Sequence, residues 1–102
     1  MDTPPVHDDG SRLTVEVDGA VAGYLLYSRE PELLRLAHTV VDPAHEGTGV
    51  GSRLVCAALA SAREQGLGIV PQCSFVRSYL ARHPEDLELV PASLRAEHGL
   101  PG

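Results

Sequence analysis

Residues 45–54 read His-Glu-Gly-Thr-Gly-Val-Gly-Ser-Arg-Leu, three alternating glycines running straight into a helical pattern. An ordered glycine costs about 0.5–1 kcal/mol relative to alanine, so three in a row need a reason. From Ser52 to Gln65 the apolar residues Leu54, Val55, Ala58, Leu59 and Ala62 recur as one face of a helix. Gly66 stands where a C′ glycine ends it. Upstream, Leu33 to Val41 is an apolar run read as a strand and closed by Asp42-Pro43, because proline cannot donate to a sheet ladder. A glycine loop between strand end and helix start presents unpaired N–H groups at the positive end of the helix dipole. That is an anion site, most often for phosphate. Glycine lets phosphate oxygens reach the backbone.

Further out, Leu13-Thr14-Val15-Glu16-Val17 alternates with the period of a half-buried strand. Asp18-Gly19 follows as a hairpin signal, and Ala20 to Tyr27 is the return strand. Ser28 to Glu32 is a polar turn. Gly68-Ile69-Val70-Pro71 reads as a short strand parallel to Leu33–Val41, which demands a right-handed crossover with its helix packed on the sheet. Ser74 to Arg82 reads as a second helix stopped by His83-Pro84, and Leu87 to Val90 as a last short strand. The expected organisation is a flexible segment over 1–11, one folded domain over 12–91 and a loosely held tail over 92–102.

At 102 residues and 43% hydrophobic content, the chain supports a single core. With three Tyr, one Phe and no Trp, that core must be built from Leu, Val and Ala. The net charge of −6 argues against nucleic acid and anionic membrane as partners. No run approaches the roughly 18–20 apolar residues of a membrane span, and no basic-then-apolar leader opens the chain. Cys56 and Cys73 form no CxxC, and the five His add no metal spacing. The expectation is a cytoplasmic protein with free thiols and no metal.

Spacing narrows the loop's ligand. A Walker loop needs GxxxxGK[ST], and the chain has no Lys. A dinucleotide fingerprint needs GxGxxG and a larger doubly wound sheet; here the spacing is GxGxG with one βαβ unit. Val41-Asp42-Pro43-Ala44-His45-Glu46-Gly47-Thr48-Gly49-Val50-Gly51 instead resembles the acetyl-CoA pyrophosphate loop of the GNAT superfamily of N-acetyltransferases. There a strand and Val-x-Pro precede Arg/Gln-x-x-Gly-x-Gly/Ala and a helix. Glu46 stands where the family carries Arg or Gln. His38-Thr39-Val40-Val41, Pro71-Gln72-Cys73-Ser74-Phe75-Val76 and Tyr79-Leu80-Ala81-Arg82-His83-Pro84 are similar to segments of a short GNAT-like subfamily. The resemblance spans roughly residues 12 to 90.

It implies an α/β (α+β) fold: a minimal GNAT-like domain with a mixed, mostly antiparallel sheet, two helices and a central β-loop-α-β unit. It implies acetyl-CoA or CoA as cosubstrate, an amine acceptor, and a monomer or weak homodimer. Backbone groups of Val40 and Val41 would meet the acetyl and pantetheine portion, and the amides of Glu46, Gly47, Thr48, Gly49, Val50, Gly51 and Ser52 the pyrophosphate. Arg53, Arg77 and Arg82 are the candidate cations, with Arg53 also a partner for Glu46. Full-length members carry two helices after the first strand that help form the acceptor groove. The Ser28–Glu32 turn replaces them here, leaving the acceptor side open.

Three residues are catalytic candidates. Cys73 sits where a helix begins, and amides there lower a thiol pKa; a free Cys is equally a small buried hydrophobe. Tyr79 falls at a position resembling the general-acid Tyr of many family members, able to protonate the departing CoA thiolate; a core tyrosine gives the same pattern. His38 is a candidate base towards an ammonium acceptor, or a structural strand histidine. Cys56 reads as helix packing, and His83 as a partner for a helix C-terminus. The activity implied is acetyl transfer to an amine by direct attack in a ternary complex. The alternative is a non-catalytic acyl-CoA-binding module.

Overall fold

Asp18 and Gly19 have φ of 53° and 81°. These are the paired positive values of a type I′ turn, whose twist matches that of its flanking strands. The turn joins β2 (Arg12–Val17) to β3 (Ala20–Arg29), and β4 (Leu33–Val41) returns antiparallel to β3. A helix, α1 (Val50–Gln65), then carries the chain across to β5 (Gly68–Pro71), which pairs parallel to β4. The computed structural model describes residues 6–100, and the fold is the mixed, mostly antiparallel sheet with helices that the sequence predicts.

The buried face of α1 is Leu54, Val55, Ala58, Leu59 and Ala62, with Val50 and Gly51 at its start. They meet Leu13, Val15, Leu25, Leu34, Leu36 and Ile69 from the sheet in one core. Gly66 ends α1 at φ 69°, and the Leu67 amide closes back on the Ala62 carbonyl at 2.9 Å. This is the C-terminal closure that a residue with a Cβ resists. A second helix, α2 (Ser74–Arg82), packs on β4, β5 and α1.

The ends of the chain depart from expectation. Val6–Asp8 forms a strand, β1, antiparallel to β2, where a flexible segment was expected; residues 1–5 of that segment lie outside the described residues. Its side chains add a tie, Asp8 accepting from the Tyr27 hydroxyl. Leu87–Val90 is not a strand: Pro84–Leu89 is a 3-10 turn, begun by a proline whose φ suits a first helical position. Arg63 forks to Asp86 and Glu88 at 2.7 Å each and holds this turn against α1. The tail expected to be loose folds as a third helix, α3 (Ala92–Glu97), with Leu94 against the core and Leu100 only 8% exposed. The extra strand also moves the point that follows the first strand. It is the tight turn Asp9–Ser11, not Ser28–Glu32.

Candidate functional site

Strands β4 and β5 separate partway along β4. Their pairing runs from Leu33↔Gly68 to Leu36↔Pro71. The last link is the Cys73 amide on the Leu36 carbonyl at 2.9 Å, after which the chain enters α2. Beyond Leu36, β4 continues to Val41 paired only with β3, and the bulge opposite Leu26/Tyr27 falls at Ala37. The Asp42 amide donates to the Ala22 carbonyl. Antiparallel alternation then aims the His38 and Val40 amides at β3 and those of Thr39 and Val41 at the free edge.

The split opens into a cleft of about 510 Å³, lined by Thr39, Val41, His45, Glu46, Gly47, Gly49, Val50, Gly51, Ser52, Phe75 and Arg82. Gly47 and Gly49 turn the chain into α1 at φ 81° and 87°, a region closed to most side chains. Gly51 has another reason: a Cβ there would lie 2.5 Å from the Phe75 ring of α2. The first bond of α1 is the Arg53 amide on the Gly49 carbonyl, so the Val50, Gly51 and Ser52 amides have no partner within the helix. Gly49 caps the helix without a side-chain acceptor, leaving those donors to the cleft.

The cleft thus gathers Val41, Glu46, Gly47, Gly49, Val50, Gly51 and Ser52. Two loop residues are otherwise engaged. The Glu46 amide donates to the Pro43 carbonyl and the Thr48 amide to the His45 carbonyl, so neither N–H is free for an anion. Glu46 lines the cleft but forms no ion pair with Arg53 among the described residues. Val40 is 44% exposed and, with His38, lies on the sheet face opposite Thr39 and Val41. Arg77 is spent on the Pro71 and Gln72 carbonyls at 3.1 and 2.6 Å, whereas Arg82 lines the cleft.

The three catalytic candidates are not brought together. Tyr79 is 6% exposed, but its hydroxyl meets the Cys56 Sγ at 2.9 Å and its ring stacks on His83 at 4.1 Å. It faces α1, not the cleft. Cys56 is accordingly an exposed thiol bonded to Tyr79, not a packing residue. The Cys56 contact first, and burial second, push the Tyr79 phenol up to about 12. A thiolate near 8.5 draws no proton from such a group without a climb of several units. Burial and Asp8 push Tyr27 up to about 12 as well.

A phenol raised on folding stabilises the fold below its unfolded value near 10, and that contribution is lost as pH rises towards 12. The urea midpoint is therefore expected to fall between pH 10 and 12, and less steeply in Tyr79→Phe. Equal slopes would deny Tyr79 any part in the effect.

Cys73 is the N-cap of α2 and 7% exposed, with its Sγ 3.4 Å from the Thr39 Oγ1. Burial pushes the thiol up; the Thr39 hydroxyl, the Val76 and Phe75 amides and the Thr39 backbone push it down further, so it lies below its ordinary value. Thr39 and Phe75 complete the site beside Arg82, a cation that the sequence already names. Their sequence signal was membership of the His38–Val41 and Pro71–Val76 segments. Which of their side chains faced a cleft had no local signature.

The model of GCN5-related N-acetyl-transferases matches residues 12–89. No curated protein matches the sequence. Among solved structures, a GCN5-like protein from Staphylococcus aureus is 22% identical, with 89% of this chain and 91% of that one aligned at a TM-score of 0.68. A GNAT family acetyltransferase from Brucella melitensis, solved with acetyl-CoA, is 27% identical over 67% of this chain and 50% of its own, at 0.53. Ard1 from Thermoplasma volcanium is 33% identical over 56% of this chain, at 0.52. The chain spans 39% of Ard1 and 40% of a GNAT structure from Desulfovibrio desulfuricans.

Proposed function

The chain belongs to the GCN5-related N-acetyltransferase family, and from that premise we propose that its cleft takes acetyl-CoA and delivers the acetyl group to an amine. The observation that carries the reading is the split between β4 and β5, which ends at unpaired amides of α1 on one side and at Cys73 on the other. The pyrophosphate rests on the amides at the start of α1, a favourable place for anionic oxygens. Arg82 adds positive charge there against the −6 of the whole chain. Pantetheine follows the free edge of β4, where the Val41 amide polarises the thioester carbonyl. Catalysis then comes mainly from positioning an amine for direct attack in a ternary complex.

The acceptor approaches from the opposite face of β4, where His38 is exposed and acts as base directly or through water. Tight turns at Asp9–Ser11 and Glu30–Glu32 leave that face open, in keeping with a protein or small-molecule amine. Two free cysteines suit a cytoplasmic setting.

The lowered thiol of Cys73, beside the cleft, favours a second reading. Here Cys73 Sγ attacks the thioester, CoA leaves as thiolate, and the acetylated Sγ is then discharged by the amine. Intact mass after incubation with acetyl-CoA separates the two routes. An adduct absent from Cys73→Ser and discharged by amine supports the covalent one.

A titration of thermal stability tests the cofactor reading. Acetyl-CoA at 100 times Kd is expected to add about 2.7 kcal/mol. Arg82→Ala is expected to weaken CoA more than acetyl-pantetheine, which lacks the nucleotide phosphates. No stabilisation by either ligand would overturn the reading, and robust CoA binding with no transfer to any amine would leave a non-catalytic acyl-CoA-binding module.

A further inference from the structure

We propose that Thr39 is the residue that hands a proton to the departing CoA sulfur, drawing on the Cys73 thiol behind it. The inference rests on the direct-attack reading above. Tyr79, which the family resemblance casts as the acid, is turned away to Cys56 at 2.9 Å and does not line the cleft. Two hydroxyls line it among the described residues, those of Thr39 and Ser52. Ser52 belongs to the start of α1, the pyrophosphate end, whereas Thr39 stands on β4 beside the split. Its Oγ1 accepts from the Cys73 S–H at 3.4 Å, which leaves its own O–H to donate elsewhere.

The proton balance is simple. As the amine nitrogen bonds to the acetyl carbon, the C–S bond of the thioester breaks and its electron pair stays on the CoA sulfur. Thr39 Oγ1–H protonates that sulfur while Cys73 S–H reprotonates Thr39. Donor and final acceptor are both thiols, so the transfer is nearly level in energy, the condition under which an acid works best. The Cys73 thiolate left behind sits at the start of α2, where the Val76 and Phe75 amides favour it. The proton shed by the nitrogen as it becomes an amide restores the thiol through solvent.

The test uses the full chain in a Cys56→Ala background, so that Cys73 is the one thiol. Alkylation of Cys73 by iodoacetamide is followed against pH, with hydroxylamine as acceptor in a parallel assay of thioester loss. Thr39→Val is expected to move the alkylation midpoint to higher pH and to lower kcat on the order of 10²-fold, with KM for acetyl-CoA unchanged. Thr39→Ser is expected to recover both. If the valine variant does not fold, Thr39→Ala serves in its place. An unmoved midpoint or an undiminished kcat in a folded variant overturns the role of Thr39. Calorimetry on the parent protein keeps the two readings apart: absence of acetyl-CoA binding there removes the cofactor reading itself, and the relay with it.

Discussion

Gly49→Val is expected to fold and to bind acetyl-CoA about 10²–10⁴-fold more weakly. Gly49 caps α1 at φ 87°, and a β-branched residue there costs on the order of 1–3 kcal/mol of backbone strain. The loop escapes the strain by rotating, which turns the Val50 and Gly51 amides from the cleft. Hydrogen bonds to charged groups contribute about 1.5–3 kcal/mol each, and two of them correspond to the loss stated. The fold survives because no atom lies within 4 Å of a Cβ at this position. Most of the core face of α1, from Leu54 to Ala62, lies beyond it, with Val50 the core side chain beside it. Circular dichroism and calorimetry on the same sample make the check, and undiminished affinity in a folded variant would take the loop out of the site. At Gly51 a side chain acts differently, by displacing the Phe75 ring that covers it.

Leu36→Ala carries the largest expected loss of stability. Leu36 is fully buried, sits at the last β4–β5 pair, and has its carbonyl on the Cys73 amide. Truncating a buried leucine costs about 2–5 kcal/mol, the spread reflecting how far the cavity collapses. A domain of this size holds a total towards the lower end of about 5–15 kcal/mol, so the loss is a large share of the whole. Urea unfolding should show the midpoint falling by about 1–3 M at an unchanged slope. A loss below about 1 kcal/mol would mean that β4 and β5 are held together elsewhere. Acetyl-CoA is expected to restore part of the loss, because only the folded chain can bind it.

What could be read locally was read from residues whose chemistry constrains their own backbone. Asp18-Gly19 permits the positive φ pair of a tight hairpin, Gly66 ends α1, and Asp42-Pro43 closes β4. The stripe from Leu54 to Ala62 declares a helix against a sheet, and Gly68–Pro71 declares its parallel partner. Val6–Asp8 is too short at three residues to show a period, and its strand exists only because β2 offers an edge. Helix α3 hides for a similar reason: Leu94 and Leu100 are too few to mark a face, and the core they meet is built by the rest of the chain.

The loop glycines, the strand before them and the helix after them are therefore properties of the sequence, since torsional freedom and apolar spacing act within a few residues. The direction of side chains at the site belongs to the tertiary structure. Tyr79 turns to Cys56 across 23 positions and Cys73 to Thr39 across 34, while Arg77 folds back on Pro71 and Gln72. Each side chain had alternative rotamers open to it. The choice was made by which groups the packing of α2 against α1 and β4 left within reach, which no stretch of either partner alone contains.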